Sequence, residues 1–255
     1  MPLSQLLNLF FPSRCPLCFN NSDAFQFSPI CSFCWAGIDK YIGPACKICG
    51  IPSISEQTSI CGECLKTKQP FSRIIYYGLY DSSLKKAIHL LKFRGIKRLA
   101  KPLSRLLLEL PIPESDLIIP VPLHLKKLRE REFNQTALIG SWLSKELNIP
   151  IKIDNLFKIK ETPPQTMLRR KERLENMKNA FFATGVMNAD ILLIDDVITS
   201  GATVRECSKS LIQKGAKSVT VLALAHSRPT DLKAEVSINP NIPEFSINQD
   251  KGSAE

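Results

Sequence analysis

DILLIDDVITSGATV, residues 190–204, sets an apolar run, two carboxylates and a turn of small hydroxylated residues in fixed order. Residues 191–194 carry no polar side chain, the mark of a strand buried on both faces of a parallel sheet. Asp195 and Asp196 follow at the carboxyl end of that strand, where open α/β sheets bind ligands. Thr199, Ser200, Gly201, Ala202 and Thr203 then lead into a helix expected over 203–214. Small residues at a helix N-terminus aim backbone N–H groups and hydroxyls at one point, an anion cradle suited to a 5′-phosphate. Carboxylates just ahead of it suit ribose hydroxyls, or Mg²⁺ through water. One segment is thereby expected to grip both ends of a phosphorylated ribose. Paired aspartates after an apolar run also occur in P-loop ATPases, but those need a G-x-x-x-x-G-K-[ST] loop upstream, and the chain has none. A plain strand end followed by a helix cap is the other alternative, and the length of the string argues against it.

Working outward, strands and helices alternate. Residues 71–80 (FSRIIYYGLY) read as a strand, and Ser82 or Ser83 is placed to cap a helix. Its apolar positions are Leu84, Ala87, Ile88 and Leu91, with Lys85, Lys86, His89 and Lys92 assigned to the opposite face. A second basic helix around 97–110 ends at Pro111 and Pro113. Beyond it come a strand at 116–121 and a polar loop to Asn134. An amphipathic helix follows at 135–147, built on Leu138, Ile139, Trp142 and Leu143. A strand at 149–153 precedes a charged segment, 158–180, with no clear period, and residues 217–225 form a further buried strand. The alternation predicts an α/β fold, a parallel sheet with helices on both faces. Cys207 shares a helical face with Val204 and Leu211 and reads as core rather than nucleophile.

Eight of the nine cysteines fall in four Cys-x-x-Cys pairs, separated by 12, 11 and 11 residues. A segment so short and loop-rich buries little surface and needs a staple. Each pair sets two thiolates on one tight turn, and two turns complete a tetrahedral S₄ zinc site with no open position. Two structural Zn²⁺ ions are expected. Sequential pairing is expected, with Cys15, Cys18, Cys31 and Cys34 holding one and Cys46, Cys49, Cys61 and Cys64 the other; the spacing also allows an interleaved pairing. The expected organisation is a small zinc-ribbon module with an apolar lead-in over 1–70, then an α/β domain over 71–226 and a flexible polar tail over 227–255. Within the domain, 71–115 is a basic entry and 116–226 the core.

With 255 residues and 44% apolar side chains, the chain has material for a sizeable core. No run of 18 apolar residues suggests a membrane span, and MPLSQLLNLFF lacks the basic flank and cleavage site of a signal peptide, so a cytoplasmic location is expected. The formal charge of +10 falls to about +6 if eight thiolates hold two zinc ions. That charge is concentrated: no acidic residue lies between Asp81 and Glu109, where eight lysines and arginines do. A polyanion partner would therefore meet the middle of the chain rather than the tail. Phe93 is the lone Phe, Tyr or Trp of that basic run, which leaves little there for base stacking.

Three features together resemble the ComF/GntX-type, competence-associated phosphoribosyltransferase-like family over nearly the whole chain. They are the cysteine knuckles (RCPLC, CSFCW, CKICG, CGECL), the segment IIPVPLHLKKLREREFNQ at 118–135, and ETPPQTMLRRKERLENMKNAF at 161–181. The resemblance implies a type I phosphoribosyltransferase fold whose ligand is phosphoribosyl diphosphate (PRPP) with Mg²⁺. Residues 122–134 would be the pyrophosphate loop, with Lys126, Lys127, Arg129 and Arg131 as phosphate contacts. The segment 158–180 would be the flexible loop, with Gln165, Arg169, Arg170 and Arg173. Family members usually carry Arg-Gly-Phe-Asn-Gln where this chain has Arg131-Glu132-Phe133-Asn134-Gln135, so a negative charge replaces easy access to positive φ. The family further implies DNA uptake in natural transformation, incoming single-stranded DNA as partner and a competence helicase nearby. The enzymatic alternative is a glycosyltransferase that passes ribose 5-phosphate from PRPP to a nucleobase nitrogen.

Overall fold

A computed structural model describes residues 14–21, 29–53, 59–161 and 177–228. Two short helices, α1 (Ser32–Ala36) and α2 (Gly62–Lys66), belong to the cysteine module. The domain follows with β1 (Arg73–Leu79), α3 (Ser82–Phe93), a 3₁₀ turn (Lys97–Leu99), α4 (Ala100–Leu108), β2 (Leu117–Pro120), α5 (Leu125–Arg131) and α6 (Gln135–Leu147). It closes with β3 (Leu156–Lys158), β4 (Phe181–Ala183), β5 (Asp190–Ile198), α7 (Ala202–Gln213) and β6 (Ser218–His226).

The centre is a four-stranded parallel sheet in the order β1-β6-β5-β2. Side chains alternate across each strand, and the two faces enter two cores. Leu192 and Ile194 pack with α3, α4 and α6, whereas Ile191 and Leu193 pack with α7 and the antiparallel β3–β4 pair. Continuous apolar strands suit a sheet covered in this way. Ile88, Leu91, Leu103, Leu107, Ile139 and Leu143 all lie at 1% exposure or less, so truncating one to Ala costs about 2–5 kcal/mol.

The cysteine module covers the open edge of β1. Tyr41 N–H donates to the Tyr77 carbonyl and Ile74 N–H to the Ile48 carbonyl, both at 2.8 Å, which satisfies strand groups that would otherwise invite pairing with another chain. Contact is close enough that a Cβ on Gly78 would lie 2.6 Å from the Asp39 carbonyl oxygen. Cys31, Cys34 and Ile38 enter the same core as Leu84 and Ile88. On the other face, Arg205 of α7 reaches Glu63 at 3.1 Å and Gln69 at 2.8 Å.

Four local expectations change. Asp81, not Ser82 or Ser83, is the N-cap of α3. The expected polar loop before Asn134 contains α5, which begins where the His124 ring accepts the Lys126 N–H. None of its residues is buried, so it writes no apolar period into the sequence. Residues 149–153 give only an isolated bridge, Ile118↔Ile151. Asn148 ends α6 in the left-handed region and Pro150 has no N–H, which leaves little chain to extend the ladder. Finally, the segment read as aperiodic is bounded by β3 and β4, three residues each and too short to register as strands. Gln165, Arg169, Arg170 and Arg173 lie outside the described residues.

Candidate functional site

Because β5 runs to Ile198, Asp195 and Asp196 sit inside the strand and not after it. Adjacent strand residues face opposite ways. The expectation that both carboxylates work on one ligand therefore divides into two roles.

Asp196 faces the α3 and α6 side. Lys92 Nζ lies 3.0 Å from its Oδ1 and 2.9 Å from its Oδ2, and Gln135 Nε2 donates to Oδ2 at 2.6 Å. Arg131 Nη1 in turn donates to Gln135 Oε1 at 2.8 Å, which fixes the amide's orientation. The carboxylate is 4% exposed and Lys92 keeps a quarter of its side chain in solvent. Burial alone would lower the Lys92 pKa, but attraction and hydrogen bonding to Asp196 outweigh it and raise it. Sequence periodicity had assigned Lys92 to a solvated face. It sits four residues after Ile88 and next to Leu91, at the edge of the apolar stripe, and a long side chain there reaches inward.

Asp195 faces α7, where its charge is felt by the buried thiol of Cys207. It is 8% exposed, and its Oδ1 accepts the Asp196 N–H at 2.8 Å. Burial, followed by the neighbouring Asp196 charge, pushes its pKa up to about 7, against the pull of Lys92 and that N–H. A carboxyl held this way gains from any donor or cation that arrives beside it.

A run of cations extends outward from Lys92 and Arg131. Lys127 and Arg131, four residues apart on α5, both titrate low, first through burial; for Lys127 the charges of Arg131 and Lys92 add to it. Lys158 of β3 is pushed down to about 8 by burial and by Lys127. Cations that depress one another make a site favourable to an anion. Of the other two expected contacts, Lys126 pairs with Glu161 at 3.0 Å in solvent and Arg129 is exposed. Gln135, Lys92 and Lys158 were not singled out from sequence as site residues; Gln135 closes the quoted family segment, but nothing local marks the two lysines.

After β5 the chain turns at Gly201 into α7. Gly201 adopts φ +72°, and a Cβ there would meet no atom within 4 Å. Thr199 is exposed, and Ser200, Gly201 and Thr203 are partly so, while Ala202 is buried beneath them. The first amides of α7 have no acceptor within their own helix. The space over Gly201 is open, and the donors at the turn are amides and hydroxyls.

The cysteines form the two sets expected by sequence-order pairing. Cys15, Cys18, Cys31 and Cys34 are one cluster and Cys46, Cys49, Cys61 and Cys64 the other, with all sulfurs of a cluster within 4.8 Å of one another. Burial works to raise the pKa of Cys15 and of Cys46, yet backbone N–H groups bring both down to about 7. Two all-thiol clusters of tetrahedral size fit two structural zinc ions. Cys207 is fully buried, as core packing predicts.

Residues 6–65 match the family model described as a double zinc ribbon domain. The chain is 33% identical over 233 residues to competence protein F of Haemophilus influenzae, covering 86% of this chain and 99% of that protein. It is 32% identical over 232 residues to DNA utilization protein YhgH of Escherichia coli K12, covering 86% and 99%. Against competence protein ComFC of Bacillus subtilis the identity is 27% over 217 residues, covering 78% and 84%. Among solved structures it is similar to a purine phosphoribosyltransferase from Pyrococcus horikoshii, at 20% identity and a TM-score of 0.31, covering 53% of this chain and 75% of that one. No helix among the described residues is long and apolar enough to cross a membrane.

Proposed function

Because the chain belongs to the ComF/YhgH family of competence and DNA utilization proteins, we propose that it is a PRPP-binding phosphoribosyltransferase-fold protein that handles incoming single-stranded DNA during uptake. The observation that carries the ligand reading is the open turn over Gly201, set beside a cation cluster and two buried carboxyls. In this reading, the turn 199–203 receives the 5′-phosphate. Asp195 offers a carboxyl to ribose hydroxyls. Lys127, Arg131 and Lys158 neutralise the diphosphate, with Mg²⁺ arriving bound to it. Asp196 holds Lys92 and Gln135 in place and acts through them. The DNA part of the reading draws on what the relatives' names state and on the acid-free basic run before Glu109.

Calorimetric titration of PRPP with Mg²⁺ tests the ligand reading, and the Gly201→Val variant should lose the binding. Absence of binding by the native chain refutes it. Single-strand affinity measured against salt tests the second part; a flat salt dependence speaks against a phosphate-tracking surface. The cation cluster also suits turnover, in which the bond between C1 and the diphosphate breaks, diphosphate leaves and a nitrogen nucleophile bonds to C1. Release of diphosphate in the presence of a nucleobase panel distinguishes turnover from binding.

A further inference from the structure

Phe93 closes α3 with 58% of its surface exposed, an unusual position for so large a ring on the run of greatest positive charge. It does not stand alone. His89, one turn back, lies 4.6 Å away ring to ring, and the Arg131 guanidinium sits 5.2 Å from the Phe93 centroid. Two residues beyond Arg131, the Phe133 ring has Lys97 Nζ at 5.1 Å. One helical turn after Lys97, Lys101 Nζ lies 4.8 Å from the ring of Trp142, and Lys145 reaches the same ring at 5.2 Å. Rings and cations thus alternate along a line assembled from α3, the 3₁₀ turn, α4, α5 and α6, in which the Phe133 ring is buried. Arg131, within the line, holds Gln135 and through it Asp196.

Among the described residues, none of the ion pairs includes Lys97, Lys101, Lys145 or Arg131. Cations left without carboxylates call for an external anion. Phe93 is exposed and Trp142 half-buried, so both rings keep apolar surface in solvent that suits a flat apolar group. A duplex keeps its base faces stacked inside and offers only phosphates to such a line. A single strand offers both, since each base presents a π-face and each step carries a phosphate. Resting on the single-strand reading above, we propose that this line seats single-stranded DNA. Bases stack on Phe93 and Trp142, phosphates pair with Lys97, Lys101 and Lys145, and the strand leads to the cradle.

The test is fluorescence anisotropy of the full-length, zinc-loaded chain with an oligo-dT, an abasic oligonucleotide of equal length and an oligo-rU. The native chain should bind oligo-dT more tightly than the abasic strand. Phe93→Ala and Trp142→Ala should each weaken oligo-dT binding about 5- to 100-fold, leave the salt dependence unchanged and shrink the preference over the abasic strand. Lys101→Gln should flatten the salt dependence by about one unit of log–log slope. Circular dichroism and zinc content confirm that each variant is folded, and Trp142→Ala should leave PRPP affinity unaltered. If the native chain binds single strands and both ring variants bind equally well, the line is refuted while the DNA reading stands. If the native chain binds no single strand, the DNA reading fails and the line with it. Tighter binding of oligo-rU than of oligo-dT overturns the assignment to DNA.

Discussion

Replacing Asp195 with Asn should make the fold more stable, and increasingly so as the pH rises. The carboxyl is 8% exposed and its pKa stands at about 7 against 3.8 for an unperturbed group. Burial is the largest cause and the Asp196 charge the next. A folded-state pKa above the unfolded one means that the native protein binds more protons between the two values. Its contribution to stability is therefore full below pH 3.8 and is lost as the pH climbs through 7. At about 1.4 kcal/mol per unit, Asp195 weakens the fold by about 2 kcal/mol at pH 5.5, where folding must take up its proton, and by about 4 kcal/mol at pH 8, where it is buried ionised. Asn keeps an oxygen to accept the Asp196 N–H, bonded at 2.8 Å in the native chain, and carries no charge. Urea unfolding of both proteins, followed by tryptophan fluorescence at fixed zinc between pH 5.5 and 8, measures the difference. The stability gap should widen by about 2 kcal/mol across that range in favour of Asn. Parallel curves, or an Asn variant less stable at pH 8, would refute the reasoning. The same variant should bind PRPP more weakly, as expected where a site keeps a charge that folding alone would discard.

Lys92→Met should destabilise the fold by about 3 kcal/mol at neutral pH, because it strips a 4%-exposed carboxylate of its cation; urea unfolding reads this. An unchanged midpoint would mean that Gln135 alone satisfies Asp196. Glu132 adopts φ +65° as it ends α5, so Glu132→Gly should stabilise the chain by about 1 kcal/mol in thermal or urea melts, with destabilisation the contrary result. Cys46→Ser should lower bound zinc from two ions to one by metal analysis, and loss of both would show that the clusters fold as one unit. It should also loosen the edge of β1, since Ile48 and Tyr41 bond to that strand; faster amide exchange of Ile74 measures this.

Much was legible in the sequence because it is local. Apolar runs, a glycine-containing turn and paired cysteines each act within a few residues, so β5, α6, α7, β6 and the eight thiol ligands could be named from their spacing. What escaped was short or exposed. The three-residue strands β3 and β4 carry no measurable period, and α5 buries nothing. The cysteine pairing, left open by spacing, is set by which turns approach one another in space. The division of labour between Asp195 and Asp196 is likewise tertiary, since strand alternation sends one to α7 and the other to Lys92, 104 residues away. The stacking line makes the same point. Phe93 was one ring in a basic run by sequence, but Phe133 and Trp142 come from segments that meet it only when α4, α5 and α6 pack. The sequence by itself determined the glycine turn, the thiols and the sheet, because backbone preference and periodicity are written residue by residue. Which charges meet, and which rings share a face, only the packed structure decided, because long side chains are placed by what the helices beneath them bury.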